Sequence, residues 1–109
     1  MKKVYKKLVR DKIPQIIKDN GKLPVFRTLD DADYWRYLLK KDKEELIEVK
    51  NAPTVRDRLE ELADKLEVIR AMAEFHGFTL QDIIDAADNK ATLKGGFNKR
   101  YLLEKVIEK

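Results

Sequence analysis

The sequence predicts an all-α fold built on an antiparallel hairpin of two long helices, with further helices beside it. Three observations predict it. Apolar residues recur at helical spacing over two long stretches, a proline-containing break separates the stretches, and each opens on a capping signal. The 109 residues fit one domain spanning 1–109 and leave little room for a second core. A composition of 43% apolar and 40% charged residues is too hydrophobic for a disordered chain, yet charged enough to coat helices on their exposed faces.

In chain order, the segment from Lys2 to Lys12 is rich in Lys and Arg, and Pro14 sits where a first helical turn accepts it, ahead of Gln15 to Asp19. A short helix is expected there, stopped by Asn20-Gly21. Leu23 to Thr28 reads as a loop or an edge strand, because Pro24 argues against a central strand. Asp30, with Asp33 three residues on, is a candidate N-cap for a long helix to about Asn51 whose stripe is Trp35, Leu38, Leu39, Leu46 and Val49. Asn51-Ala52-Pro53 breaks it. Thr54 and Asp57 resemble a capping box, with Asp in place of the usual Glu.

The second long helix carries Val55, Leu59, Leu62, Leu66, Ile69 and Ala73, alternating steps of four and three, the spacing of a seam packed along another helix. The two are expected to pair antiparallel. His76-Gly77 ends the second, where a His can satisfy terminal carbonyls. Thr79 then caps a third helix with Leu80, Ile83, Ile84 and Ala87 on one face, ended by Gly95-Gly96. The tail from Phe97 to Lys109 is open between a short strand against Val4-Tyr5 and more helix.

Several function classes are excluded or disfavoured. No apolar run approaches the roughly 20 residues of a membrane span, and the Lys-rich start leads into no signal-peptide core, so the expected location is cytoplasmic. With no Cys, disulfides, thiolate zinc sites and a cysteine nucleophile are out. A metal would need oxygen ligands or the lone His76, which favours Mg²⁺ or Mn²⁺ over zinc. The net charge of +4 comes from 24 basic and 20 acidic residues that interleave, which argues against nucleic acid as the partner.

The chemistry-bearing residues concentrate on the hairpin. Glu45 and Glu48 lie three apart on the first long helix, and Glu61 and Asp64 three apart on the second, so each pair shares a face. In an antiparallel hairpin, residues at one level have position numbers with a common sum, and Glu45 with Asp64 gives the same sum as Glu48 with Glu61. Four converging carboxylates would raise one another's pKa unless a cation neutralised them, and oxygen donors of this kind suit Mg²⁺. A solvated acidic face has the same spacing, so spacing leaves both readings open.

The run Glu44-Glu45-Leu46-Ile47-Glu48, followed after twelve residues by Glu61-Leu62-Ala63-Asp64, resembles the EExxE…ExxD signature of MazG-like pyrophosphohydrolases. Lys7-Leu8-Val9-Arg10-Asp11-Lys12-Ile13-Pro14 and Gly95-Gly96-Phe97 resemble the phosphoribosyl-ATP pyrophosphohydrolase-like subgroup, so the resemblance covers nearly the whole chain. It implies an all-α oligomeric bundle, a homodimer or homotetramer, and a house-cleaning hydrolysis of a nucleoside triphosphate to monophosphate and pyrophosphate. It further implies Glu45, Glu48, Glu61 and Asp64 as metal ligands, with Glu44 as general base or ligand to a second metal. Ala87-Asp88-Asn89-Lys90 with Lys94 is similar to the superfamily's A-N-x-K…R stretch, although Asp88 replaces the amide and Lys94 the Arg. Arg10, Lys12, Asp88, Lys90 and Lys94 are thereby candidates for substrate binding. The alternatives are phosphoribosyl-ATP as substrate and a helical interaction module without turnover.

Two positions depart from the family pattern. Asp42 and Lys65 stand where aliphatic residues are usual, each within an apolar row and nearly level with the other. A lone buried charge is heavily penalised, so the two are expected to pair across the hairpin or a subunit interface. Tyr34, Trp35 and Tyr37 could stack on a base or pack in a core.

Overall fold

The computed structural model describes residues 5–109; Lys2, Lys3 and Val4 of the basic opening lie outside the described residues. The described residues form four helices and no strand: α1 (Ile13–Asp19), α2 (Asp31–Asn51), α3 (Val55–Phe75) and α4 (Leu80–Lys94). Leu23 to Thr28 is therefore loop, and the tail after Gly96 forms neither the strand nor the helix left open for it.

The helix ends follow from side-chain chemistry. Asp30 accepts from the Asp33 amide at 2.9 Å and Thr54 from the Asp57 amide at 3.0 Å, each satisfying an orphan N–H of a first turn. At Thr54 the box is half made, because its hydroxyl donates to the Asp57 carboxylate instead. Thr79 and Asp82 complete the reciprocal box on α4. α3 closes on Gly77, whose φ of +82° suits only a residue without Cβ, with the Gly77 amide on the Glu74 carbonyl and the Phe78 amide on the Ala73 carbonyl. Gly21 ends α1 in the same way.

α2 and α3 pack as the antiparallel hairpin, α4 touches α3 alone, and no helix packs on α1. The seam differs from the expected one. One row of buried or half-buried positions on α2 is Trp35, Leu38, Asp42, Glu45 and Val49, and on α3 Glu61, Lys65, Val68, Met72 and Phe75; Asp64, Ile69, Ala71 and Ala73 on α3 are covered as well. Both sets step by three and four, as a helix seam requires. Up to Leu66, the apolar row predicted for α3 is offset by one residue, about 100° around the helix. Its members Val55, Leu59, Leu62 and Leu66 are exposed, as are Leu39 and Leu46 on α2, whereas Ile69 is half-buried and Ala73 buried as expected. Periodicity finds the apolar face of a helix, but not which neighbour covers it.

That rotation explains the two odd charges. Asp42 and Lys65 lie in the seam itself, with the lysine Nζ 2.5 Å from Asp42 Oδ1 across the hairpin. Both side chains are partly open to water, so the pair is expected to contribute at most about 1 kcal/mol. A double-mutant cycle of Asp42→Ala and Lys65→Ala in urea should return a coupling of that order at low salt, smaller in 1 M salt. No coupling at low salt would mean that the seam does not need the pair.

The open end of the hairpin is aromatic. Trp35 stacks on Phe75 at 5.6 Å, and Tyr34 meets the same ring edge-on at 5.7 Å. The His76 ring sits edge-on to Trp35 at 4.8 Å, while the carbonyl caps expected of its side chain are made by backbone N–H groups. Tyr34 and Trp35 thus serve packing, and Tyr37 lies under the cations of Arg36 and Lys40.

The chain taken alone is open. Its radius of gyration is 18.6 Å, against about 13 Å for a compact domain of this length. Its accessible surface is 10343 Å², against about 6,300 Å² for a folded monomer of its mass.

Candidate metal centre

The site is built at mid-hairpin, where the seam turns from apolar to acidic. One carboxylate oxygen from each of Glu45, Glu61 and Asp64 lies within 4.8 Å of the other two. Two oxygens on opposite sides of an octahedral Mg²⁺ at 2.1 Å are about 4.2 Å apart, so small side-chain adjustments bring all three to one ion. The donor set is all hard oxygen, which fits Mg²⁺ or Mn²⁺. Glu45 is 7% exposed, the one buried charged residue among those described.

Glu48 is exposed and its oxygens fall outside this trio. It is still close enough to act on Glu61, whose carboxyl is pushed above its ordinary range by partial burial, then by the charges of Asp64, Glu48, Glu45 and Asp57. Three cations answer this charge. Arg10 donates to Asp64 at 2.7 Å, Lys7 lies 3.7 Å from Glu44, and Lys41 lies 3.4 Å from Glu44 and 3.5 Å from Glu45. Against the five carboxylates Glu44, Glu45, Glu48, Glu61 and Asp64, these three leave two negative charges, the charge of one divalent ion.

A pH prediction follows from Glu61. Because its folded pKa is raised, the folded protein holds a proton that the unfolded chain has already released, and stability falls as pH rises through that window. In chelator, Glu61→Gln should therefore unfold at higher urea than the native chain at pH 7, the gap closing as pH falls towards about 4. An unchanged or lower midpoint at pH 7 would show that the cluster does not strain the fold.

Of the other expected residues, Arg10 alone is brought to the cluster. Lys12 is the N-cap residue of α1 and makes no ion pair among the described residues. Asp88, Lys90 and Lys94 ride on α4, which leaves the hairpin beyond Gly77, and no ion pair joins them to the carboxylates. Lys90 and Lys94 instead line a shallow groove with Ala87, Gly95, Gly96 and Phe97. Lys41 is the contact that the motif did not single out. Its signal was present, three and four residues before Glu44 and Glu45.

Comparison with known proteins adds one relative. The chain is 49% identical over 47 residues to a protein of Mycolicibacterium smegmatis described as uncharacterized, a stretch covering 43% of this chain and 48% of that protein. The match thus spans about half the length of the relative. No family model and no solved structure matches. No helix among the described residues is long and apolar enough to cross a membrane.

Proposed function

We propose that this chain is a cytoplasmic Mg²⁺-dependent nucleoside triphosphate pyrophosphohydrolase, with Mn²⁺ as an alternative ion, acting in a house-cleaning role. The observation that carries the reading is the trio of Glu45, Glu61 and Asp64 in one acidic seam, arranged to hold a hard divalent cation. A divalent ion bound there would supply Lewis-acid polarisation of a phosphate and a more acidic water.

The chain's own residues do the rest. Glu45, Glu61 and Asp64 would hold the ion, and Glu48 would add its negative charge beside them. Glu44, part-buried between Lys7 and Lys41, is placed beside the cluster rather than in it, which suits a base that takes a proton from the attacking water. Arg10 brings a guanidinium to the same place, a group that matches phosphate oxygens in a bidentate fork.

The reading includes a homodimer or homotetramer. What supports assembly is the excess of open surface and the outward apolar row of Leu59, Leu62 and Leu66 on α3, faces that a stable homodimer buries over 2,000–5,000 Å² in total. In such an assembly α4 of one copy can approach the hairpin of another, which is how Asp88, Lys90 and Lys94 would come to serve the substrate.

The test is pyrophosphate release from a panel of ordinary and damaged nucleoside triphosphates and phosphoribosyl-ATP, with Mg²⁺ or Mn²⁺ and in chelator. Metal-dependent release from one class establishes the reaction and names the substrate. Silence from the folded protein across the panel would turn the reading to a helical interaction module without turnover.

A further inference from the structure

The basic segment before α1 has a position that its charge alone does not require. Lys7 reaches Glu44 on α2, and Arg10, three residues later, reaches Asp64 on α3, so the segment bridges both helices across the acidic seam. It has no helical structure of its own before Ile13, and of its residues from Lys7 to Lys12 only Leu8 is half-buried. Beside the half-buried Leu8 and the bond from the Ile13 amide to the Arg10 carbonyl, two charge contacts, both open to solvent, tie it to the hairpin. Contacts of this kind are weak and readily exchanged.

Asp64 is the shared element. The oxygen that accepts from Arg10 belongs to a carboxylate of the metal-binding trio, and its negative charge cannot satisfy a guanidinium and a divalent cation equally. Arg10 is fully charged at any pH the fold survives, so it yields by moving and not by losing its proton. The two remaining negative charges of the cluster attract the incoming ion, while the arriving double charge repels the guanidinium beside it.

We propose that Lys7 to Arg10 is an intramolecular counter-ion which a divalent cation displaces from Asp64, releasing the Arg10 guanidinium for the phosphate oxygens of the substrate. The inference rests on the metal reading above and adds an order of events to it. Metal entry comes first, and it creates the phosphate site by freeing the cation that had closed the cluster. In the metal-free protein the contact with Asp64 keeps Arg10 occupied and offsets part of the negative charge of the cluster.

Calorimetry of Mn²⁺ binding to the full chain at low ionic strength tests this without turnover. If Arg10 must be displaced, Arg10→Gln binds Mn²⁺ more tightly, by up to about fivefold, the range open to an exposed ion pair. Trypsin cleavage after Arg10 in the native chain should also quicken on saturation with Mn²⁺, whereas in Asp64→Asn it should be fast with or without the ion. Equal or weaker binding by Arg10→Gln would overturn the exchange and make Arg10 a residue that orients Asp64 for the metal. Binding by neither protein would remove the metal reading and the exchange with it.

Discussion

Asp64→Asn and Glu45→Gln, each keeping the shape of the side chain, are expected to lower Mg²⁺-dependent pyrophosphate release by at least about a hundredfold. Partners one layer removed from a metal typically cost 10- to 100-fold when lost, and a direct ligand should cost no less than the top of that range. Glu45 carries the further argument of burial: at 7% exposure its charge is met by Lys41, and a bound ion would add to that compensation. Glu48→Gln is expected to lose less, about tenfold, because its carboxylate is exposed and outside the trio. Raising Mg²⁺ should restore part of the rate in each variant, most in Glu48→Gln. A variant at Asp64 with native turnover would remove the centre from the reaction, and equal losses at Glu48 and Asp64 would mean that Glu48 swings in as a fourth ligand.

The ranking of the four carboxylates was not legible in the sequence, whereas the meeting of three of them was. The three-residue spacings and the common sum of position numbers put Glu45, Glu61 and Asp64 at one level of an antiparallel hairpin, and the fold brings them within reach of one ion. What the spacing lacked was rotation about the helix axis. Glu48 shares a broad face with Glu45, but the seam passes through Trp35, Leu38, Asp42, Glu45 and Val49 and leaves Glu48 to one side. The same missing angle placed Leu62 and Leu66 in the seam, when Glu61 and Lys65 one position earlier fill it. Lys65 illustrates the cause: a row with a charge in it looks broken as an apolar stripe, yet it is continuous once Asp42 supplies the counter-charge. Caps were readable because Asp30, Thr54 and Thr79 each act on an amide three residues away, within the reach of local sequence. The contact of Arg10 with Asp64, 54 positions apart, had no local signal.

Leu38→Ala should cost about 2–5 kcal/mol of unfolding free energy, because Leu38 is 1% exposed and its removal leaves a cavity that the surrounding structure fills only in part. Typical domains hold about 5–15 kcal/mol in all, so urea unfolding should show much of the stability gone. The informative comparison is Leu62→Ala. In the single chain Leu62 is 49% exposed, and its truncation should cost well under the Leu38 change if nothing else covers it. If copies of the chain assemble over this face, Leu62→Ala acts as a second core deletion, costs a similar amount, and makes the unfolding midpoint depend more steeply on protein concentration. The two variants separate the seam from the outer face: loss at Leu38 is local to the hairpin that carries Glu45 and Asp64, whereas loss at Leu62 is felt through the neighbour. A small, concentration-independent effect at Leu62 would mean that the outward row stays in water and that the hairpin stands on Leu38, Val68, Ala73 and its aromatic end.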